Sequence, residues 1–285
     1  AEPTKFHSPK PFMIEGGRVE IQIGGRSWTA TFADALIELA RRNDRVFALS
    51  AAMPDGTGLN KFQEVFPDRC LDAGIAESAA VDIAAGMCKA GLRPVVAIYS
   101  TFLQRAIDQV FQEVVLQGLP VIFCMDRAGL VGGDGAVHHG FLDITYLRGL
   151  PNMVLMAPGD AAEIGLTLDL ATRLETPCGI RYPRDTIPQP LFDDAPPPPF
   201  EVGRSVRLRE GSDATILAYG SMCRPSLDAA DLLATQGIEV RVVNARFAKP
   251  IDRPMVREAL APAEQELPAL AGGYRHQESS LDADD

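Results

Sequence analysis

The 285-residue sequence has little of what marks membrane-spanning, secreted or zinc-binding proteins. It contains one tryptophan, four histidines and five cysteines, and it has no apolar run long enough to cross a bilayer. An odd number of widely separated cysteines, with no CxxC pair, argues against a disulfide framework and a zinc site. The first ten residues lack the apolar segment of a secretory signal. We therefore expect a cytoplasmic protein with no membrane partner.

Positive charge is also scarce. The sequence has 27 Lys and Arg against 38 Asp and Glu, a formal net charge of −11, which argues against a nucleic-acid partner. Six of the acidic residues lie between 261 and 285, which we predict to be an acidic tail. Hydrophobic residues make up 46% of the chain and charged residues 23%, close to globular averages, so the chain can bury a core.

Short β-branched runs alternate with segments of helical period, which is typical of βα units around a parallel sheet. We predict an α/β fold, with a mostly parallel, doubly wound sheet over 29–184 and a second, incomplete α/β domain over 201–260. Seven prolines between 183 and 199 predict a stiff polyproline linker at 185–200 rather than packed structure. We interpret residues 1–28 as a linker and amino-terminal extension. The predicted helices are 31–42, 77–90, 102–117, 160–174 and 225–236, and the predicted strands are 46–49, 94–99, 120–125, 153–157, 178–182, 214–219 and 238–243.

Glu77 falls where a short strand gives way to a helix. From that position a carboxylate can point into the crevice at the carboxyl edge of a parallel sheet. A glutamate in a first helical turn is also favoured by the helix dipole alone. The pattern therefore leaves open whether Glu77 is functional or structural.

The segment 126–140 contains five glycines together with an arginine, acidic residues and two histidines. Long loops without an apolar face are seldom kept for packing, although a flexible surface loop is the alternative. Arg127 and Arg184 both follow predicted strands, so they are expected at one edge of the sheet, where two guanidinium groups suit a phosphate or carboxylate. Surface salt bridges would explain the same two arginines. Gly56, in a weak phosphate-loop pattern, is interpreted as a turn residue.

Several strings, taken together, resemble the 1-deoxy-D-xylulose-5-phosphate synthases, thiamine-diphosphate enzymes of the transketolase superfamily. The strings are 74–77 (GIAE), 96–106 (VAIYSTFLQRA), 126–132 (DRAGLVG), Asp134-Gly135 with His138, and 181–184 (RYPR). Lys5-Phe6-His7 is similar to that family's interdomain linker. The resemblance covers about 5–250 and implies a transketolase-like pyrimidine-binding domain followed by part of a carboxyl-terminal domain.

The resemblance implies cofactor and catalytic roles. Glu77 would hydrogen-bond and activate the aminopyrimidine ring of thiamine diphosphate, Phe102 would stack on that ring, and Arg105 would support the same pocket. From the residues alone, Phe102 is equally explained as a core side chain. Asp134 and His138 would handle the acceptor hydroxyl and proton transfers.

The resemblance also implies the substrates and the reaction. Tyr99, Arg127 and Arg184 would bind the phosphate of glyceraldehyde 3-phosphate, which condenses with pyruvate to give 1-deoxy-D-xylulose 5-phosphate and carbon dioxide. This is a transferase reaction that supplies isoprenoid precursors. Magnesium and the cofactor diphosphate are expected on an amino-terminal domain or a partner chain. We therefore expect a homodimer or a heteromer with a diphosphate-binding chain, and poor cofactor binding by this chain alone.

Some residues depart from the family pattern. Ser78 and Ala79 stand where the family usually has Gln-His, and Asp185 stands where it has glycine. Three alternatives stay open: half of a split transketolase, a 2-oxoacid dehydrogenase β-like subunit, and a noncatalytic remnant or regulatory partner of the same fold. The 99–105 string and the loop after Arg127 favour the synthase.

Overall fold

A computed structural model describes residues 12–15, 18–21, 24–192 and 196–260, the first two ranges as backbone strands only. The predicted acidic tail and most of the predicted amino-terminal extension, including Lys5-Phe6-His7, lie outside the described residues. Within this part of the chain, no helix combines the length and apolar character needed to span a membrane.

The strands form three sheets. Their bounds are β1 (Phe12–Glu15), β2 (Arg18–Ile21), β3 (Val46–Ser50), β4 (Cys70–Asp72), β5 (Arg93–Tyr99), β6 (Ile122–Asp126), β7 (Val154–Met156), β8 (Cys178–Arg181), β9 (Val206–Arg209), β10 (Ala214–Ala218), β11 (Val240–Asn244) and β12 (Phe247–Lys249). β1 and β2 form an antiparallel pair. The main sheet has seven strands in the order β12-β7-β8-β6-β5-β3-β4, and all its neighbours are parallel except β12 with β7.

The described helices flank these sheets. Their bounds are α1 (Trp28–Arg42), α2 (Pro54–Thr57), α3 (Leu59–Val65), α4 (Glu77–Lys89), α5 (Ser100–Leu103), α6 (Ile107–Gln109), α7 (Asp143–Gly149), α8 (Ala161–Arg173), α9 (Cys223–Ala234) and α10 (Arg253–Leu260). α1 begins after Ser27, whose hydroxyl accepts a hydrogen bond from the Ala30 amide at 3.1 Å, and α8 begins after Asp160, whose carboxylate accepts from the Glu163 amide. Such side-chain acceptors satisfy amides that a helix start leaves without a partner.

Apolar side chains cover both faces of the main sheet, which confirms the doubly wound α/β prediction. Trp28, Phe32 and Leu36 of α1 pack with Ile164 and Leu168 of α8 on one face. On the other face, side chains of α4 pack with those of the segment that follows β5. All residues of β5 and β6 are buried, as expected for central strands covered on both sides.

The predicted helix 102–117 is wrong as a single element. The chain instead forms α5, a 3-10 turn (Gln104–Ala106), α6 and a π-helical turn (Val110–Val115). A π turn takes more residues than an α turn, and here it allows Val110, Val114 and Val115 all to be buried. The demands of packing against α4 therefore override the local helical period.

The carboxyl-terminal part forms a second, smaller sheet in the order β10-β11-β9. β10 and β11 are parallel, and β9 is antiparallel to β11. The chain then returns to the main sheet, because β12 pairs with β7 at its edge. The periodicity of the sequence did not predict this return.

The proline-rich segment is partly packed, which corrects the expectation of polyproline rather than packed structure. Arg246 is completely buried and donates hydrogen bonds to the carbonyls of Pro198 (3.0 Å) and Pro199 (2.8 Å). Its guanidinium also pairs with Glu163 of α8 at 2.7 Å, and Phe200 is buried beside it. These contacts hold residues 198–200 against the main sheet.

Candidate active site

Glu77 lies at the carboxyl edge of the main sheet as the first residue of α4. It follows β4 after a tight turn in which Asp72 accepts hydrogen bonds from the amides of Ala52 and Gly74, at 2.7 and 3.0 Å. The Glu77 side chain is only 6% exposed, and its carboxylate accepts a hydrogen bond from Arg105 at 2.8 Å. The carboxylate is therefore inside the crevice and not on the open exterior.

Three aromatic rings form a group at the same edge. Tyr99, the last residue of β5, stacks on Phe102 with ring centroids 5.3 Å apart. His138 lies edge-on to both rings, with centroids 6.2 Å from Tyr99 and 5.6 Å from Phe102. Burial raises the pKa of Tyr99 to about 12, so its hydroxyl stays protonated at neutral pH. The group presents flat apolar surface beside an imidazole.

Two arginines and one carboxylate lie next to these rings. The Arg127 guanidinium carbon is 3.7 Å from the Tyr99 ring centroid, a cation–π contact. The Asp134 carboxylate accepts from Arg127 and is paired with Arg184, at 3.0 Å in each case. The predicted convergence of Arg127 and Arg184 is thus present in the structure, with one internal carboxylate between them.

The glycine-rich loop is closed at its base. Gly129 and Gly140 exchange two backbone hydrogen bonds of 2.8 Å, and the Ser100 hydroxyl donates to the Gly140 carbonyl at 3.2 Å. A Cβ at position 140 would lie 2.4 Å from the Ser100 oxygen, so only glycine fits there. Inside the loop, His138 Nδ1 contacts the Asp134 carbonyl at 2.9 Å, which helps to hold the imidazole edge-on to Tyr99 and Phe102.

Sequence reasoning missed two contributors to this site. Gly56, interpreted as a turn residue, lies against Tyr99, because a Cβ there would be 1.9 Å from the Tyr99 hydroxyl. Its carbonyl also accepts from Arg127 at 2.9 Å. Asp126 is fully buried and accepts from Arg127 at 3.0 Å and from Thr29 at 2.6 Å. The one available signal was an acidic residue at the end of a buried strand, next to the arginine.

The departures from the family pattern have simple local contacts. The Ser78 hydroxyl donates to the Arg105 carbonyl at 3.0 Å, and the Asp185 carboxylate accepts from the Thr186 amide at 2.7 Å. Two surface grooves, of about 530 and 280 Å³, contain none of the predicted site residues. The first lies between α1, α8 and the prolines, and the second lies beside β12. The chemistry-bearing side chains therefore occupy the sheet edge and neither groove.

This arrangement combines three chemical features. A buried carboxylate can hydrogen-bond a polar ring nitrogen, flat apolar rings can support a heteroaromatic group, and paired guanidinium groups can bind an anion such as a phosphate. The eight predicted residues divide into two contact groups at one edge. The first is the Glu77–Arg105 pair, and the second comprises Tyr99, Phe102, Arg127, Asp134, His138 and Arg184.

Family models match most of the chain. The model described as transketolase, pyrimidine binding domain matches residues 25–190, and the model described as transketolase, C-terminal domain matches residues 203–267. The chain belongs to the transketolase family. The residues 247–249 that pair with the main sheet fall inside the carboxyl-terminal match.

Three curated relatives of this transketolase-family chain are named as 1-deoxy-D-xylulose-5-phosphate synthases. The chain is 47% identical over 277 residues to a 1-deoxy-D-xylulose-5-phosphate synthase of Heliobacterium modesticaldum, and the match covers 95% of this chain and 42% of the relative. It is 50% identical to the synthase of Rhodopirellula baltica, covering 91% and 41%. It is 52% identical to that of Thermomicrobium roseum, covering 85% and 39%. The chain thus spans about two fifths of the length of these relatives.

Solved structures show the same fold. A split-gene transketolase, described as an inactive β4 tetramer, matches with a TM-score of 0.74 and 34% identity, over 83% of this chain and 76% of that one. A transketolase of Pichia stipitis matches with a TM-score of 0.69 at 19% identity, over 86% of this chain and 37% of that one. The second match supports the fold alone.

Proposed function

We propose that this chain is the pyrimidine-binding part of a thiamine-diphosphate enzyme that makes 1-deoxy-D-xylulose 5-phosphate and carbon dioxide from pyruvate and glyceraldehyde 3-phosphate. The observation that carries the proposal is the buried Glu77 carboxylate at the sheet edge, on the same edge as the aromatic rings and the paired arginines. The 47–52% identity to named synthases supports the choice within the family.

The residues present fit the pyrimidine end of thiamine diphosphate. Glu77 offers a carboxylate oxygen from a nearly enclosed position, and Arg105 holds its orientation. Phe102 is half-buried, with one face on Tyr99, so its remaining surface is available to a planar ring. When bound, the cofactor supplies the electron sink for decarboxylation and carbon–carbon bond formation. The part of this chain is to orient the ring and hold a proton at Glu77.

The phosphate of the aldehyde substrate is assigned to Arg127, Arg184 and Tyr99. Two guanidinium groups can bind a phosphate in bidentate fashion, and the Tyr99 ring supports Arg127 from below. Asp134 pairs with both arginines, so a phosphate must compete with this carboxylate. His138, on the same loop and in contact with the Asp134 carbonyl, would move a proton at the acceptor hydroxyl.

The proposal needs groups from elsewhere. Among the described residues, no cluster of His, Cys, Asp and Glu is arranged to hold a metal, so we assign magnesium and the diphosphate to another domain or chain. Two exposed apolar side chains, Ile83 on α4 and Leu116 directly after the π turn, are candidate dimer contacts. A cytoplasmic location is part of the same proposal.

Half of a split transketolase is the second candidate. The 34% identity to a split-gene transketolase chain favours it, because the match covers 76% of that chain's length. The higher identity to the synthases argues for the first candidate. Carbon dioxide distinguishes the two reactions, because ketol transfer between sugars releases none.

The test mixes the purified chain with a diphosphate-binding chain from the same genome, thiamine diphosphate, magnesium, pyruvate and glyceraldehyde 3-phosphate. We expect carbon dioxide and the five-carbon product from the mixture. Glu77→Gln should lower carbon dioxide release at least 100-fold, a typical size for losing a proton-transfer group. Glu175→Gln, which removes another glutamate paired with an arginine (Arg93, 2.5 Å), should leave the rate unchanged.

The outcomes separate the candidates. A second mixture replaces pyruvate with a ketose phosphate as donor, and ketol transfer there without carbon dioxide would favour the split transketolase. No turnover with pyruvate or with the ketose phosphate, by a correctly folded chain in a complex with its partner, would favour the noncatalytic alternative. Equal rates for Glu77→Gln and the wild-type chain would contradict the role assigned to Glu77.

A further inference from the structure

A buried carboxylate lies beneath the anion site and has no part in the chemistry above. Asp126 ends β6 with its side chain 0% exposed. One oxygen accepts from Arg127 at 3.0 Å and the other accepts from the Thr29 hydroxyl at 2.6 Å. Burying a charge this completely is costly unless partners compensate it, so its placement under an arginine needs an explanation.

Arg127 is held on several sides. Its backbone has φ of 60°, a conformation that residues other than glycine adopt rarely. Nε donates to Asp134, while Nη1 is shared by Asp126 and the Gly56 carbonyl. Among the described residues, no hydrogen bond of the Arg127 side chain uses its Nη2. That nitrogen therefore remains as a donor for an anion.

We propose that Asp126 and Thr29 are positioning residues of the anion site: Asp126 orients the Arg127 guanidinium and sets the net charge that an incoming phosphate meets. The inference rests on the proposed function, in which Arg127 binds the substrate phosphate. Asp126 and Asp134 together balance the charges of Arg127 and Arg184. Loss of the Asp126 charge without loss of its shape should therefore strengthen anion binding.

The surroundings of Asp126 support this reading. The groups that face it or its arginine are Thr29 of α1, Tyr99 of β5, Arg127, Asp134 and His138 of the loop, Tyr182 after β8, and Arg184. Burial raises the pKa of Asp126 to about 6, against the lowering effects of Arg127 and Thr29. Burial also raises the pKa of Tyr99 to about 12 and that of Tyr182 well above its usual value, so both phenols stay neutral between pH 5.5 and 7.5.

Two substitutions of Asp126 should have opposite effects. In Asp126→Asn, the amide oxygen can still accept from Arg127 and the amide nitrogen can donate to the Thr29 hydroxyl. The geometry is kept and one negative charge is lost, so sulfate should bind about fivefold more tightly at pH 7.5. In Asp126→Ala, Arg127 loses its anchor, and sulfate should bind more weakly than to the wild-type chain. Thr29→Val should also weaken binding.

The experiment titrates inorganic sulfate into the full chain at pH 7.5 and 5.5, and follows arginine side-chain NH signals by NMR. Sulfate keeps its charge over this range. Wild-type affinity should rise severalfold on acidification, and this rise should be retained in His138→Asn but lost in Asp126→Asn. The control is Asp143→Asn, which removes a fully buried carboxylate that holds Arg181 at 2.9 Å outside the anion site. It should leave sulfate affinity unchanged.

The failures of the two proposals are distinguishable. If the wild-type chain binds no sulfate, or if Arg127→Gln binds it equally well, the anion site and this inference are both overturned. If Arg127→Gln abolishes binding but Asp126→Asn and Asp126→Ala shift affinity in the same direction, only the positioning role is overturned. An equal effect of Asp143→Asn would show a general loss of packing and would overturn it too.

Discussion

Arg246→Met should destabilise the chain by about 3–5 kcal/mol at neutral pH. Arg246 and Glu163 are paired with both side chains 0% exposed, and removing one partner of such a pair leaves an uncompensated buried charge, which typically costs this much. The substitution also removes the hydrogen bonds to the Pro198 and Pro199 carbonyls and a cation–π contact of 4.2 Å with Phe200. Residues 198–200 should therefore detach from the main sheet.

The cost should depend on pH in a definite direction. Burial raises the pKa of Glu163, while Arg246 and hydrogen bonds from Gly159 and Asn244 lower it. Without Arg246 the pKa rises further above its value in the unfolded chain. A raised carboxyl pKa contributes stability below the unfolded pKa, and this contribution is lost as the pH rises through the folded pKa. The destabilisation should therefore shrink at acidic pH.

The assay is urea unfolding followed by the fluorescence of Trp28, the single tryptophan, which is 1% exposed in the core. Glu163→Gln combined with Arg246→Met leaves neither buried charge and should recover much of the loss at pH 8. Arg173→Met, on an exposed residue at the end of α8, is the matched control. A cost below about 1 kcal/mol for Arg246→Met, or the same cost at pH 5 and pH 8, would refute the reasoning.

Two further predictions follow from packing. Gly56→Ala should destabilise the chain by about 1–3 kcal/mol in urea unfolding and weaken sulfate binding, because the added Cβ would overlap the Tyr99 hydroxyl. The control is Gly133→Ala, which should be close to neutral because no atom lies near its Cβ. Equal effects of the two substitutions would contradict this prediction. Burial raises the pKa of Cys178 to about 12 and that of Cys124 well above its usual value. Both thiols should therefore resist a disulfide reagent at pH 8 until urea unfolds the chain. Labelling of either thiol in the native chain would contradict this and would show that β6 or β8 opens.

The sequence predicted five of the seven described strands of the main sheet, β3, β5, β6, β7 and β8, within a few residues, since each of these buried strands is a short apolar run whose signal is local. It also predicted which residues share the sheet edge, because segments that follow parallel strands meet at the same edge. Arg127 and Arg184 show this well. They are distant in sequence, yet both contact Asp134.

The contacts within that edge were decided by the tertiary structure. Thr29 and Asp126 are 97 positions apart, and nothing in either local segment specifies their hydrogen bond. The local sequence predicts only a turn at Gly56, and its close approach to the Tyr99 hydroxyl exists only in the folded chain. The break in the predicted helix 102–117 has the same origin, because the π turn buries Val110, Val114 and Val115 against side chains from distant segments of the chain.

By itself, then, the sequence determined the order of the central strands and of the longer helices α1, α4, α8 and α9, together with the chemical types gathered at one edge, because both depend on periodicity and chain direction. The tertiary structure alone decided which charges neutralise one another, how Arg127 is held, and that β12 joins the main sheet. These depend on burial and on distances between segments far apart in the chain, where a carboxylate is stable only if a partner from another element reaches it.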